Sequence, residues 1–409
     1  MRIPEATMQR LRKAYENIPD NKKPEVKSLM LAAQQHALRA RGLTAADQEI
    51  RPAPHELTLA YSALFGDPAL LLGPPTATEE LALPPYVDPD GNIWGFGTYE
   101  QLDPGWLEAV AIWLENFNYK YPFGVKPAHV QIPDDTTIAL LADWGTGQFG
   151  NGTAPPLQMT QYLQQNLPDY TIHLGDTYYS GTEAEETDNF LAGWAVGSAG
   201  TFALNSNHEM YPGGKGYFKT LLGNSAFAAQ KGTSYFALAN SHWIIIGLDS
   251  AYFSDYWSMY MDGYLDPVQL AFLSGYAQNA RQEGKRVIVL THHNGLAENG
   301  TGPTTLWTQV TSAFPGGTAP AYWYWGHLHA GVVYPEQNGL SPRCLGHGAI
   351  PWGNARALQG LSTVTWYETT PNPVNPTIQV MNGFVLLKLS GPTLTEQLLD
   401  QTGAPAWPT

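Results

Sequence analysis

Five short apolar runs in the second half of the chain stop abruptly at polar residues, and no other feature constrains the fold as strongly. The runs and the residues that follow them are 138–142 before Asp143, 172–175 before Asp176, 201–204 leading to Asn207 and His208, 287–291 before His292, and 322–325 leading to His327 and His329. In open α/β folds the carboxyl ends of neighbouring strands meet at one edge of a sheet, where such folds keep their sites. These side chains are therefore expected to gather at one rim.

The chain from Thr137 onward has the pattern of a layered α/β or α+β domain. Short strands rich in Ile, Val, Leu and Trp alternate there with helices or loops. A helix is predicted from Leu157 to Leu167, and a second begins at Asp266-Pro267 and continues to about Glu283, because proline is favoured in the first turn of a helix.

The first 134 residues lack such strand endings and are interpreted as an extension. Apolar residues step by three and four from Met8 to Ile18, which predicts a helix. Prolines crowd residues 51–99 without a sustained period, which predicts irregular structure. We therefore divide the chain into an N-terminal extension, 1–134, and a main domain, 135–402. Four histidines stand in no local pattern and receive no role: His36, His55, His129 and His242.

The composition of the chain limits the kinds of partner and metal ligand that can be expected. The 409-residue chain has 43% apolar and 14% charged residues and a formal charge of −15, so it can bury a core and repels polyanions. Nucleic acid and membranes are not expected as partners. The N-terminus lacks the apolar core of a signal peptide and no window resembles a membrane span, so a cytoplasmic location is the default expectation. Cys344 is the only cysteine, so a metal would be held by oxygen and imidazole ligands.

The polar strand endings are the ligand types that a pair of metal ions requires. Phosphoryl transfer uses two cations about 3.5–4 Å apart, which acidify water and clamp the reacting oxygens. Asp176 is the predicted bridge, because Gly175 lets the backbone turn sharply before it. The predicted ligands of one cation are Asp143, Asp176, Tyr179 and His329, and those of the other are Asp176, Asn207, His292 and His327. These oxygen and nitrogen donors suit iron, manganese or zinc.

The ordered motifs resemble the five-block pattern of calcineurin-like metallophosphoesterases. The motifs are Asp143-Trp-Gly145, Gly175-Asp176-x-x-Tyr179, Asn207-His208-Glu209, Val289-x-x-His292 and Gly326-His-x-His329, within a region from Thr137 to Leu389. The first block lacks the histidine that most of the superfamily carries, and the second block supplies a tyrosine. This paired change is similar to the purple acid phosphatase branch, in which the tyrosinate binds ferric iron.

The resemblance implies a four-layer fold, a β-sandwich flanked by helices, that hydrolyses small phosphoesters. It implies a phosphomonoesterase with Fe³⁺ and a divalent ion (Fe²⁺, Zn²⁺ or Mn²⁺), whose bridging hydroxide attacks phosphorus while His208 orients the phosphate or protonates the leaving oxygen. Two alternatives stay open. One is a phosphodiesterase of the same superfamily that uses manganese or zinc. The other is an inactive module that binds metal or a partner.

Two positions depart from the family pattern, and several side chains near the motifs have open roles. Ser206 replaces the glycine that usually precedes the asparagine, and Asn299 stands where many purple enzymes have a histidine that contacts phosphate. Asn299 and His293 are the candidate substrate contacts, although packing is an equal alternative for His293. Packing is also open for Tyr179, while its neighbour Tyr178 is expected to line the pocket or to lie in the core.

Overall fold

The computed structural model describes residues 3–42, 53–66, 84–149 and 153–408. The α-helices within these ranges are Glu5–Asn17 (α1), Lys23–Ala40 (α2), Ala60–Phe65 (α3), Trp106–Glu115 (α4), Pro155–Asn166 (α5), Glu183–Glu185 (α6), Asn207–Met210 (α7), Pro267–Glu283 (α8) and Thr305–Ser312 (α9). None of these helices has both the length and the apolar character needed to cross a membrane. Helices α5 and α8 match the two predicted from proline placement and apolar spacing.

The strands within the described ranges form two large sheets and one hairpin. The hairpin pairs Tyr86–Val87 (β1) with Ile93–Trp94 (β2). The remaining strands are Ala128–Gln131 (β3), Asp135–Leu141 (β4), Tyr170–His173 (β5), Gly200–Ala203 (β6), Phe236–Ala239 (β7), Trp243–Gly247 (β8), Arg286–Leu290 (β9), Tyr322–Trp325 (β10), Gly331–Val333 (β11), Ser341–Leu345 (β12), Trp366–Tyr367 (β13), Gly383–Ser390 (β14), Thr393–Asp400 (β15) and Pro405–Trp407 (β16).

Each large sheet contains a run of parallel strands, and these runs carry the polar strand endings. The larger sheet has the order β13-β11-β12-β10-β9-β8-β7-β3, and the smaller one has the order β16-β15-β14-β4-β5-β6. Strands β4, β5 and β6 are parallel in the smaller sheet, as are β8, β9 and β10 in the larger sheet. Parallel strands end at the same edge, so the residues that follow them are brought to a common rim.

The alternation of side chains along β4 shows how the layers are built. Ile138 and Leu140 belong to the core between the two sheets, whereas Ala139 and Leu141 face the cluster that includes Met159 of α5. Successive residues of a strand point to opposite faces, so an uninterrupted apolar strand must be covered on both sides. Helices α8 and α9 cover the outer face of the larger sheet in the same way. The predicted α/β sandwich flanked by helices is confirmed.

The N-terminal extension packs as a helical group against loops of the sandwich. Helices α1 to α4 share one apolar cluster with Met210 and Tyr211, which follow His208, and with Tyr260. Strand β3 precedes the predicted boundary at residue 134 and pairs in parallel with β7 of the larger sheet. Of the stretch 51–99, residues 51–52 and 67–83 lie outside the described residues. The rest contains α3 and the β1–β2 hairpin in place of irregular structure, because elements of two to six residues are too short to show a period.

Candidate metal centre

The rim is built from backbone turns that place two carboxylates side by side. Asp143 follows β4 and Asp176 follows β5, and both have positive φ angles, 54° and 79°. Gly175 before Asp176 has φ 104°, and a Cβ on it would lie 2.7 Å from the imidazole Nδ1 of His292. Only glycine combines this backbone angle with such a close approach. The two strand ends therefore aim their carboxylates at one point beside His292.

One group of potential ligand atoms surrounds Asp143. The carboxylates of Asp143 and Asp176 and the imidazole of His329 have ligand atoms that all lie within 4.8 Å of one another. His329 Nε2 lies 3.6 Å from Asp143 Oδ1. The Tyr178 hydroxyl lies 2.8 Å from Asp176 Oδ2, 3.0 Å from Asp143 Oδ1 and 3.1 Å from His329 Nε2. Two carboxylates, a phenol and an imidazole therefore converge on one volume.

A second group adjoins the first through Asp176. The imidazoles of His292, His293 and His327 have ligand atoms within 4.8 Å of one another. His292 Nε2 lies 2.9 Å from Asn207 Oδ1 and 3.3 Å from Asp176 Oδ1. Asp176 belongs to the first group, where its Oδ2 faces Tyr178, while its Oδ1 faces His292 of the second group. This is the arrangement expected for a side chain shared by two cations.

The electrostatics of the cluster are those of a site that receives positive charge. Burial, and then the neighbouring Asp176, raise the pKa of Asp143 well above its usual range. For Asp176, burial is outweighed by the facing imidazoles of His208 and His292, so its pKa is lowered. Burial lowers the pKa of His292 to about 3, and that of His329 also to about 3. These imidazoles are neutral at pH 7, which is the form that binds metal, and the paired carboxylates need a cation between them.

The structure differs from the sequence-based prediction by one residue at the tyrosine. The Tyr178 phenol lies in the first group, whereas the Tyr179 hydroxyl donates to Asp103 Oδ2 at 2.5 Å. The Tyr179 ring packs against Tyr99 and Trp106, with centroid distances of 4.6 and 4.8 Å. The N-terminal extension thus supplies both an acceptor and an aromatic pocket that hold Tyr179 away from the rim. The motif spacing alone contains no trace of these distant contacts.

His208 lies between the rim and the N-terminal extension. Its Nδ1 lies 2.7 Å from the Tyr179 carbonyl oxygen, which makes Nδ1 a donor and leaves Nε2 to face Glu56 Oε1 at 3.4 Å and Asp176 Oδ2 at 3.8 Å. Burial lowers its pKa, but Asp176 and Glu56 outweigh burial and raise the pKa to about 9. His208 is therefore a proton donor held by carboxylates on two sides.

Ser206 explains the departure from glycine in the third motif. Its hydroxyl accepts from the His208 backbone N–H at 3.1 Å, which caps α7, and it contacts the carboxylates of Asp176 and Glu209. The serine therefore orients Asp176 while it starts the short helix that carries Asn207 and His208.

The two predicted substrate contacts have other partners. His293 is buried, with Nδ1 2.9 Å from Ser250 Oγ and Nε2 2.7 Å from the Tyr260 carbonyl oxygen. Asn299 lies in an exposed turn, where its side-chain oxygen accepts from the Thr301 backbone and hydroxyl. Neither side chain lies on the wall of the cavity at the rim. His293 supports the histidine cluster by packing, and the residue before Asn299, Glu298, lines the cavity in its place.

A cavity of about 210 Å³ opens over the rim. Five predicted residues line it, namely Asp176, Asn207, His208, His327 and His329. Its other walls include His55, Glu56, Asp90 and Asn92 of the N-terminal extension, together with Glu298 and Trp352. These six stand in no motif, so sequence patterns gave no signal for them. A separate cavity of about 250 Å³ beside α8 contains none of the rim residues.

Comparisons with known proteins find similarity only among solved structures. No protein-family model matches the chain, and no curated protein matches it. GAP50, described as the anchor in the inner membrane complex of Plasmodium, aligns at 13% identity and a TM-score of 0.45, over 67% of this chain and 87% of that one. A dimetal phosphatase from Danio rerio aligns at 13% identity and a TM-score of 0.44, over 66% of this chain and 99% of that one. At these TM-scores the similarities carry no argument about function. The function is therefore inferred from the geometry of the rim.

Proposed function

We propose that this chain is a metal-dependent phosphoester hydrolase whose site is the rim. One observation carries the proposal. The two oxygens of Asp176 face two adjoining groups of ligand atoms: Oδ2 lies 2.8 Å from the Tyr178 hydroxyl, and Oδ1 lies 3.3 Å from His292 Nε2. A carboxylate shared in this way is the natural bridge of a two-cation site, and two-cation sites are typical of phosphoester hydrolysis.

The residues present fit two hard or borderline cations. Asp143, Asp176, Tyr178 and His329 would hold one, and Asp176, Asn207, His292 and His327 would hold the other. The donors are oxygen and neutral imidazole, with no thiolate, which suits iron, manganese and zinc. When bound, such cations supply Lewis-acid activation of water and neutralise phosphate charge.

The protein's own contribution at the reacting phosphate centres on His208. Its Nδ1 is fixed by the Tyr179 carbonyl oxygen, so Nε2 is held toward the cavity beside Asp176 and Glu56. From there Nε2 can donate to a phosphate oxygen or give a proton to the leaving oxygen, a role that contributes about 10²–10⁴-fold in enzymes. No covalent phospho-enzyme is required, because water activated by the two cations would attack phosphorus directly.

The size of the cavity favours a small phosphomonoester as substrate. Its volume of about 210 Å³ lies below the roughly 300–1,000 Å³ of pockets for drug-sized ligands. Glu56 and Asp90 of the N-terminal extension are among its walls, which supports the idea that the extension restricts substrate size. A purple acid phosphatase-like activity with Fe³⁺ and a divalent ion is the corresponding proposal for the metals, with Tyr178 as the phenolate ligand.

The test is reconstitution of the metal-free protein with iron, zinc or manganese, followed by assays on paired nitrophenyl monoester and diester substrates. We expect two metal ions per chain and faster hydrolysis of the monoester. Faster hydrolysis of the diester would show that the protein is a phosphodiesterase and not a monoesterase. Uptake of two metals without hydrolysis of either ester would refute the hydrolase and leave a metal-binding module.

A further inference from the structure

The cavity wall is acidic beyond what two cations require. Besides Asp176, it contains the carboxylates of Glu56, Asp90 and Glu298. No lysine or arginine lies among the described residues that line it. A phosphate group would be held by bound metals and His208, so these three additional acids face whatever is attached to the phosphate.

Two of these carboxylates have a buried oxygen without a hydrogen bond. Glu56 is 1% exposed, and its Oε2 makes no hydrogen bond, although it lies 3.6 Å from His55 Nδ1. Glu298 is half-buried, and its Oε1 is likewise buried with no hydrogen bond. Burial, and then the nearby Asp90, raise the pKa of Glu298 to about 8, so its carboxylate form needs a cation beside it at neutral pH. Buried polar atoms in folded proteins nearly always have partners, so unsatisfied ones on a cavity wall indicate a missing donor or cation.

Trp352 connects the metal centre to this acidic wall. It is 7% exposed, and its ring meets the His329 ring edge to face at 5.6 Å. Its indole Nε1 lies against the Asp90-Gly91 loop, where a Cβ on Gly91 would be 2.4 Å away. The Gly353 N–H donates to the Gly91 carbonyl oxygen at 2.8 Å and holds the loop in place. An aromatic wall between a phosphate site and carboxylates is a setting that binds organic ammonium groups.

The acids do not form a further metal site. Among the described residues, the groups whose ligand atoms all lie within 4.8 Å of one another are the two at the rim, and neither contains Glu56, Asp90 or Glu298. Carboxylates spaced along a wall beside an indole cannot enclose a bare metal ion, but they do match a large cation with diffuse charge.

We propose that the substrate is a phosphoester whose alcohol half carries an ammonium group, either a protonated amine or a quaternary ammonium. This inference rests on the proposed function, because it places the phosphate at the metal centre and the ammonium between Trp352 and the carboxylates of Glu298 and Asp90. Glu56, which is 1% exposed, adds negative charge to the same cavity.

Binding of the ammonium half alone tests the subsite without turnover. Isothermal titration calorimetry on the metal-loaded protein would compare choline with 3,3-dimethylbutanol, its uncharged isostere. We expect choline to bind at least about tenfold more tightly, which corresponds to the energy of a desolvated cation over an aromatic ring. Glu298→Gln should remove most of that difference, whereas Glu336→Gln, an exposed match on the same domain, should preserve it. Equal binding of choline and the alcohol would overturn the proposal.

Turnover provides the second measurement. The ratio of kcat/KM for phosphocholine to that for 3,3-dimethylbutyl phosphate should be about 10 or more in the native protein and fall toward 1 in Glu298→Gln. Asp90→Asn, on an exposed loop, supplies a second variant in case Glu298→Gln does not fold, and Asp188→Asn is its exposed match. A ratio of 1 in the native protein, or an unchanged ratio in both cavity variants, would overturn the subsite. Failure to hydrolyse any ester would instead refute the proposed function, while the choline titration would still decide the subsite.

Discussion

The rim of the sandwich and the N-terminal extension contribute to the same cavity by different means. Each rim ligand follows a buried strand, so a single stretch of sequence fixes both its position and its direction, as at Asp143 after β4 and Asp176 after β5. Glu56 belongs to a short helical turn before α3, where nothing in the surrounding sequence marks it as functional. It reaches His208 only because α1 to α4 pack against the loop that follows α7.

This difference separates two parts of the chemistry. The candidate metal centre is set by sheet topology, because neighbouring parallel strands end at the same edge of a sheet. The groups that surround the substrate come largely from a segment that has its own apolar cluster and meets the sandwich at loops. Changes at the rim should therefore abolish the reaction, whereas changes in the extension should alter its rate and its choice of substrate.

The largest effect is expected for Asp176→Asn. The amide cannot bridge two cations, so kcat/KM should fall by well over 100-fold, more than the 10–100-fold that is typical for groups that only orient ligands. Metal analysis should show fewer than two ions per chain. Asp188→Asn, an exposed match, should retain both metals and activity. Full activity with two metals in Asp176→Asn would show that the reaction does not take place at the rim.

A smaller effect is expected for Glu56→Gln, because this residue acts through His208. The carboxylate 3.4 Å from His208 Nε2 helps to hold the imidazole in its donor orientation. Its loss should lower kcat about 10-fold with both metals retained, since groups that orient catalytic side chains typically contribute on that scale. Glu16→Gln on the exposed face of α1 is the matched control. Loss of metal in Glu56→Gln would instead show that Glu56 helps to hold the metals, as the rim residues do.

The adjacent residues Tyr178 and Tyr179 allow the rim and the N-terminal extension to be compared directly, because the first faces the rim and the second faces the extension. Tyr178→Phe removes the phenol beside Asp143 and Asp176, so metal affinity should fall about 10-fold and, with ferric iron bound, the visible tyrosinate band should disappear. Tyr179→Phe should keep the band, because its hydroxyl contacts Asp103. Loss of the band in Tyr179→Phe and not in Tyr178→Phe would reverse the assignment.

The Tyr179 hydroxyl should contribute to the stability of the fold rather than to metal binding. Tyr179→Phe should lower the free energy of unfolding by about 1 kcal/mol, the net value of one hydrogen bond. The loss stays small because Asp103 still accepts from the backbone N–H groups of Tyr99 and Gly105. Urea denaturation of the metal-free protein measures it without interference from bound ions.

Sequence reasoning reached the layered fold and most of the rim because both depend on local patterns. The short apolar runs and their abrupt endings are visible within a few residues of sequence, and the structure brings the predicted Asp143, Asp176 and His329 together. The choice between Tyr178 and Tyr179 was not visible, since it depends on Asp103, more than 70 positions away. The acidic wall could not be predicted for the same reason, because Glu56 and Glu298 line one cavity only once the chain is folded.

The smallest effect is expected where the extension holds itself together in solvent. Arg10 of α1 donates to Glu108 and Glu115 of α4, and its side chain is 41% exposed. Arg10→Ala should lower the free energy of unfolding by only about 0.2–1 kcal/mol, because water competes for exposed ion pairs, and added salt should reduce the loss further. Arg12→Ala, at an exposed position on the same helix, is the control, with urea denaturation as the measurement. A loss above about 2 kcal/mol would show that charge rather than the apolar cluster fixes α1 on α4. In that case the extension's hold on Glu56, and with it the activity, would depend on salt, whereas the metal centre would not.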